Sequence, residues 1–171
     1  MRPIGARLLK SAIDSLRPQL LGSHVLELFA GQGRFGFNCL EESAASVTFV
    51  EKNTQMVREL QKTAKHPLYK ASEINVLEDD VFVFLNSSQK TYDLVFADPP
   101  FDLWDLDWAE RFFSSVISQL NEDSILLVKT PSRMLALPQL KGITLQKETN
   151  VGESKLLYFA YGESKKKSER K

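Results

Sequence analysis

Residues 25–36, VLELFAGQGRFG, constrain the fold more than any other stretch: an apolar run breaks into a turn with glycines at 31, 33 and 36, and a helical pattern begins near Arg34. A strand entering a helix through a glycine turn is half of a βαβ unit. Gly31 and Gly33 let the backbone turn sharply and approach a ligand with no Cβ in the way, and Gly36 lets the helix lie close on the sheet. The G-x-G-x-x-G spacing matches a dinucleotide fingerprint. Glu51, 20 residues after Gly31 at the end of the next strand, stands where a ribose-binding carboxylate belongs.

The rest of the chain repeats the alternation. Strands are predicted over residues 24–29, 46–51, 73–77, 92–97 and 124–129, each rich in Val, Leu, Ile or Phe, as suits strands buried on both faces. Helices fall between them, with apolar stripes at Met56, Val57, Leu60 and Ala64 and at Ala109, Phe112, Phe113, Val116, Ile117 and Leu120. Asn53 or Thr54 can cap the first and Asp107 the second. Leu8, Leu9, Ala12, Ile13 and Leu16 mark a helix ahead of the first strand, closed by Pro18 and Gly22. Residues 142–149 and 154–161 both look extended around Asn150-Val151-Gly152, a terminal hairpin. The fold class is therefore α/β: a mostly parallel seven-stranded sheet, helices on both faces and a C-terminal antiparallel hairpin. One domain is expected over residues 1–162, with a helical segment over 1–22 and a basic, disordered tail over 163–171.

Charge excludes a global attraction for polyanions, since 22 basic residues balance 22 acidic ones. Nucleic-acid binding must be local. One cysteine, Cys39, cannot close an intrachain disulfide; with no secretory signal pattern, a cytoplasmic protein is expected. No apolar run reaches the roughly 20 residues that span a bilayer. With only His24, His66 and Cys39 as soft ligands, no metal site is expected. Neither a P-loop nor a G-x-S-x-G nucleophile turn occurs.

Two acids turn the glycine loop away from a nicotinamide cofactor. Glu27 lies inside the strand, four residues before Gly31. A buried carboxylate is costly without a partner: the ammonium of a methionine moiety suits it, whereas a pyrophosphate would be repelled. An arginine or a backbone amide is the alternative partner. The second is Asp98-Pro99-Pro100-Phe101, which follows the fourth strand at the sheet edge where open α/β folds bind ligands. Two prolines hold the backbone extended and remove two amide donors, leaving carbonyls to accept. Asp98 and the Pro99 carbonyl can each take one N–H of an exocyclic amine, pointing its lone pair at a sulfonium methyl. Phe101 can stack on the base, worth about 1–3 kcal/mol. The bland alternative is a proline-braced loop with a capping Asp.

With Glu27, Gly31, Gly33, Gly36, Glu51 and Asp98 to Phe101, the chain resembles the class I S-adenosylmethionine-dependent methyltransferases that methylate amines. Arg2-Pro3 with Arg7, the ELFAGxGxxG loop, DPPF, and Val151-Gly152-Glu153-Ser154 with Tyr158 are similar, more narrowly, to the RsmD-type family of bacterial 16S rRNA guanine-N2 methyltransferases. The similarity covers roughly residues 2–161.

That resemblance implies S-adenosylmethionine as cofactor, held by Glu27, Phe29, Ala30, Gly31, Gly33, Glu51, Lys52, Asp80, Val81 and Asp98. Glu51 would take the ribose, Asp80 the adenine amine and the Val81 amide the ring; Asp79 and Asp80 can equally cap the next helix. Asp98, Pro99, Pro100 and Phe101 would form the catalytic turn. Arg2, Arg7, Lys10 and Arg34 would meet phosphates of ribosomal RNA or the small ribosomal subunit, with the protein a monomer. The match departs at Ile4, where Thr is usual, and in Ala6-Arg7-Leu8-Leu9-Lys10, which keeps one arginine of the family's pattern. DNA adenine-N6 or protein glutamine is the alternative target, and a noncatalytic RNA-binding or assembly factor the alternative class. After DPPF, Asp102, Asp105, Asp107 and Glu110 surround Trp104 and Trp108, which either close over a base or pack beneath the next helix.

Overall fold

The computed structural model describes residues 4–134 and 136–162. Arg2, Pro3 and the basic tail lie outside the described residues. Seven strands form one sheet, in the spatial order β3-β2-β1-β4-β5-β7-β6. They are β1 (His24–Leu28), β2 (Ser46–Glu51), β3 (Glu73–Glu78), β4 (Tyr92–Ala97), β5 (Leu120–Pro131), β6 (Ile143–Val151) and β7 (Ser154–Tyr161). β1 to β5 run parallel, while β7 lies antiparallel between β5 and β6. The order reverses between β1 and β4, which makes the crevice above their carboxyl ends the natural ligand site of such a sheet.

Side-chain alternation divides the core in two. Val25, Val47, Leu94, Phe96 and Leu127 face α1 (Ala6–Leu20) and α2 (Arg34–Glu41), with Leu60 of α3 (Thr54–Ala64) beside them. Leu26, Leu28, Val95, Ala97, Leu126 and Val128 face α4 (Val81–Ser87) and α5 (Leu106–Val116). Both layers exclude water at Phe35, Phe49, Phe96, Phe112 and Phe113. Each such side chain contributes roughly 1.5–3 kcal/mol of burial free energy. Glu27, Asp98 and Lys129 all carry the parity of the α2 face, because Glu27 aligns with Phe96 and Val128 with Ala97 across the strands.

Four local expectations need correction. α1 runs through Pro18 to Leu20. The proline forfeits one bond to the Asp14 carbonyl, and the helix still continues to Leu20, one turn beyond Leu16, which is fully buried in the core. Asp105, and not Asp107, caps α5, its carboxylate accepting from the Trp108 amide at 2.8 Å. β5 begins at Leu120, four residues earlier than expected, around an irregularity at Tyr92/Leu94 that the Ser124 hydroxyl stitches by donating to the Tyr92 carbonyl at 2.7 Å. In the hairpin, β6 extends to Val151, so the turn is Gly152-Glu153, with Gly152 at φ +60°.

Candidate functional site

The glycine loop is shaped by two carboxylates from the flanking strands. Glu51 closes β2 and accepts from the Gly31 amide at 2.8 Å and the Asn53 amide at 2.8 Å. Glu27, 3% exposed, accepts from the Gly36 amide at 2.6 Å. Of the partners expected for Glu27, the backbone amide is the one seen. Gly36 is the third residue of α2, so the carboxylate sits on that helix's N-terminus and meets its unsatisfied amides. Burial pushes the Glu27 carboxyl up to about 8, against the pull of the Gly36 bond, and the nearby Asp98 charge adds to the rise.

The glycines are required by contact as well as by angle. Gly33 has φ +68°, and a Cβ there would come within 2.5 Å of Leu60 Cδ2. At Gly36 a Cβ would lie 2.6 Å from Phe49 and 2.7 Å from Val47. Phe29 has φ +55° without being glycine, a conformation that costs on the order of 1 kcal/mol. Its ring is held 6.1 Å from Trp108 and 6.3 Å from Phe112.

A cavity of about 570 Å³ opens over the carboxyl ends of β1, β2 and β3. Phe29, Val50, Met56, Val81, Phe82 and Trp108 supply its apolar walls, and Gly31, Glu51, Lys52 and Asp80 its polar ones. Asp80 also caps α4, accepting from the Phe82 amide at 2.9 Å and the Val83 amide at 3.3 Å. A carboxylate offers about four acceptor sites, so Asp80 and Glu51 both retain capacity for a ligand. Trp108, on α5, stacks on Phe112 at 5.2 Å and lines this cavity, which is the packing role. Trp104 packs edge-on against Trp108 at 4.9 Å.

Next to it lies a small cavity of about 30 Å³, which shares Phe29, Gly31 and Gln32 as walls and adds Ile4, Glu27, Ala30, Arg34, Phe96 and Asp98. Two acids therefore face one small space at the switch point of the sheet. The fit to S-adenosylmethionine can be judged there. The α2 N-terminus, where a dinucleotide pyrophosphate would bind, is already occupied by Glu27. An ammonium and a sulfonium suit a space walled by two carboxylates, and a nucleoside suits the apolar cavity with its acids at the rim.

Asp98 leaves β4 into this space, 7% exposed. Its Oδ1 accepts from Lys129 Nζ at 2.8 Å. Burial raises the Asp98 carboxyl above its usual range, and Lys129 and the Ile4 amide pull it back. The same ammonium lies 5.0 Å from the Phe101 ring centroid. Lys129 is the neighbour of the DPPF turn that sequence reasoning missed. By pattern it closes the strand over 124–129, and only the β4–β5 register reveals its neighbour. Pro99 is buried and Pro100 extended (φ −54°, ψ 138°), as the double proline predicts. The Pro100 carbonyl accepts from the Leu103 amide at 3.1 Å.

The basic residues are less concentrated. Arg34, half-buried, donates to the Ile4 carbonyl at 3.4 Å. Arg7 and Lys10 are exposed on α1, with Lys10 paired to Asp14 at 2.7 Å. Among the described residues, no group of three His, Cys, Asp or Glu could hold a metal ion, and no helix is long and apolar enough to cross a membrane.

Known proteins resemble the chain at the level of family, sequence and fold. A family model described as conserved hypothetical protein 95 matches residues 1–160. A ribosomal RNA small subunit methyltransferase D from Haemophilus influenzae is 29% identical over 157 residues, spanning 89% of this chain and 79% of the relative. Among solved structures, a Haemophilus influenzae protein assigned as a methylase superposes with TM-score 0.78 at 27% identity, covering 94% of this chain and all of that one. A magnesium protoporphyrin IX methyltransferase from Synechocystis, solved with S-adenosylmethionine, shares the fold at TM-score 0.73 and 17% identity, covering 91% of this chain and 79% of that one.

Proposed function

Because the chain belongs to the family of conserved hypothetical protein 95, with its similarity to a small-subunit rRNA methyltransferase, we propose that it transfers a methyl group from S-adenosylmethionine to guanine N2 of 16S rRNA. The observation that carries the reading is the pair of acids at the switch point. Glu27 fills the helix N-terminus that a pyrophosphate would need, and Asp98 heads the DPPF turn across the same small cavity.

S-adenosylmethionine, when bound, supplies a methyl already activated on sulfonium, whose electron pair returns to a neutral thioether. The protein's own task is placement. Glu27 and Asp98 provide negative charge for the cationic end, and Glu51 provides acceptors for vicinal hydroxyls. Asp98 and the Pro99 carbonyl orient the amine, and Phe101 stacks on the base. Proton loss, to Asp98 or to solvent, follows attack, because an aniline-like nitrogen becomes acidic only as it is alkylated. Alignment therefore supplies most of the acceleration. Arg7, Lys10 and Arg34 would meet backbone phosphate, a contribution that weakens steeply with salt.

Incubation with radiolabelled S-adenosylmethionine and separate pools of 30S particles, naked rRNA, DNA and protein tests the proposal. Label in 16S rRNA, recovered as N2-methylguanosine after nuclease digestion, is expected. Label confined to DNA or protein would overturn it.

A further inference from the structure

Glu27, Asp98 and Lys129 stand on three adjacent strands, β1, β4 and β5, and share the sheet face beneath α2. Two acids and one cation so arranged force a choice. The ammonium lies 2.8 Å from Asp98 Oδ1 and 5.0 Å from the centre of the Phe101 ring, so it touches both ends of the four-residue turn. Lys129 is 3% exposed, and a cation that deep is retained only where its charge is used or matched.

Resting on the reading of the DPPF turn as the methyl-transfer element, we propose that Lys129 is its positioning residue. By holding Asp98 Oδ1 and facing the Phe101 ring, it fixes the acid and the stacking ring relative to each other and favours the ionised form of Asp98, leaving Glu27 to ionise only as a cation arrives beside it. The groups around Asp98 agree with this division. From β1 comes Glu27, which accepts a helix amide; from β5 comes Lys129; the Ile4 amide ahead of α1 donates to Asp98; and Arg34 of α2 lines the same cavity but donates to the Ile4 carbonyl. Burial alone would lift Asp98 as it lifts Glu27, and the ammonium opposes that lift.

Substitutions of Lys129 and two readouts decide the matter. Lys129→Met should lower kcat about 10²-fold at neutral pH while changing the affinity for S-adenosylhomocysteine less than about three-fold. Its loss should shrink as pH rises and Asp98 ionises without help. Lys129→Arg should keep the parent pH profile and stay within about ten-fold of the parent rate. A parent rate in Lys129→Met, or equal and pH-independent losses in both variants, would overturn the proposal. If Lys129→Met does not fold, Lys129→Gln replaces it with the same expectation.

The second readout needs no activity. In protein labelled at the aspartate carboxyl carbon, with Asp98→Asn to assign the signal, the Asp98 midpoint should move up in Lys129→Met and stay in Lys129→Arg. An unmoved midpoint would overturn the proposal. A parent that methylates nothing would instead defeat the functional reading while leaving this titration able to decide the role of Lys129.

Discussion

The Gly36 amide donates to Glu27 Oε2 at 2.6 Å, which puts a buried carboxylate on the N-terminus of the helix that follows the glycine loop. Folding raises this carboxyl from about 4.5 to about 8. The folded protein therefore binds more protons than the unfolded chain between those values, and stability falls as pH rises through them. The stabilising share is complete below the unfolded value and lost above the folded one. Glu27→Gln keeps an oxygen for the Gly36 amide and cannot ionise. Its melting temperature should fall less between pH 5 and 9 than the parent's, with the variant gaining on the order of a few kcal/mol relative to the parent at the alkaline end. Parallel melting curves across that range would refute the assignment.

The same group couples cofactor binding to protons. A cation arriving beside Glu27 favours its ionised form, so S-adenosylmethionine should release up to about one proton per site on binding near neutral pH. Calorimetry in buffers of different ionisation enthalpy reads this directly. Glu27→Gln should abolish the buffer dependence.

Close approach of α2 to the sheet predicts a steric cost. Gly36→Ala would press its Cβ against Phe49, Val47 and Glu27 at 2.6 to 2.8 Å, and should destabilise the protein by about 1–3 kcal/mol despite alanine's better helix propensity. Gly5→Ala, with nothing within 4 Å of its Cβ, serves as the control. Urea denaturation separates the two.

Asp98→Asn should leave S-adenosylhomocysteine affinity within a few-fold and lower methyl transfer by orders of magnitude, because the amide no longer offers two equivalent acceptor oxygens to the amine. Equal transfer by variant and parent would remove Asp98 from the proposed role.

Glu51→Gln should act the other way, on binding. It retains one acceptor for the Gly31 or Asn53 amide but loses the charge that favours vicinal hydroxyls, so cofactor affinity should drop by roughly ten-fold or more, on the scale of one lost charge-assisted bond. Unchanged calorimetric affinity would exclude it from the site.

Local patterns alone determined most of the architecture. The strand over Tyr92–Ala97, the glycine turn into α2, the Asn53 cap and the terminal hairpin are legible because side-chain period, turn chemistry and capping act over a few residues. The acids of the site were legible too, since a carboxylate inside an apolar strand, or heading a double proline, is conspicuous wherever the chain goes. Tertiary structure decided what those acids touch. Asp98 and Lys129 are 31 residues apart and meet because β5 pairs with β4 in one register, Ala97 opposite Val128. Glu27 finds Gly36 because α2 folds back over β1. Pro18 stays helical because Leu20 has a core to enter. Periodicity says which face a residue occupies, but a partner across strands is fixed only by strand order and register, which arise from the burial of the whole sheet at once.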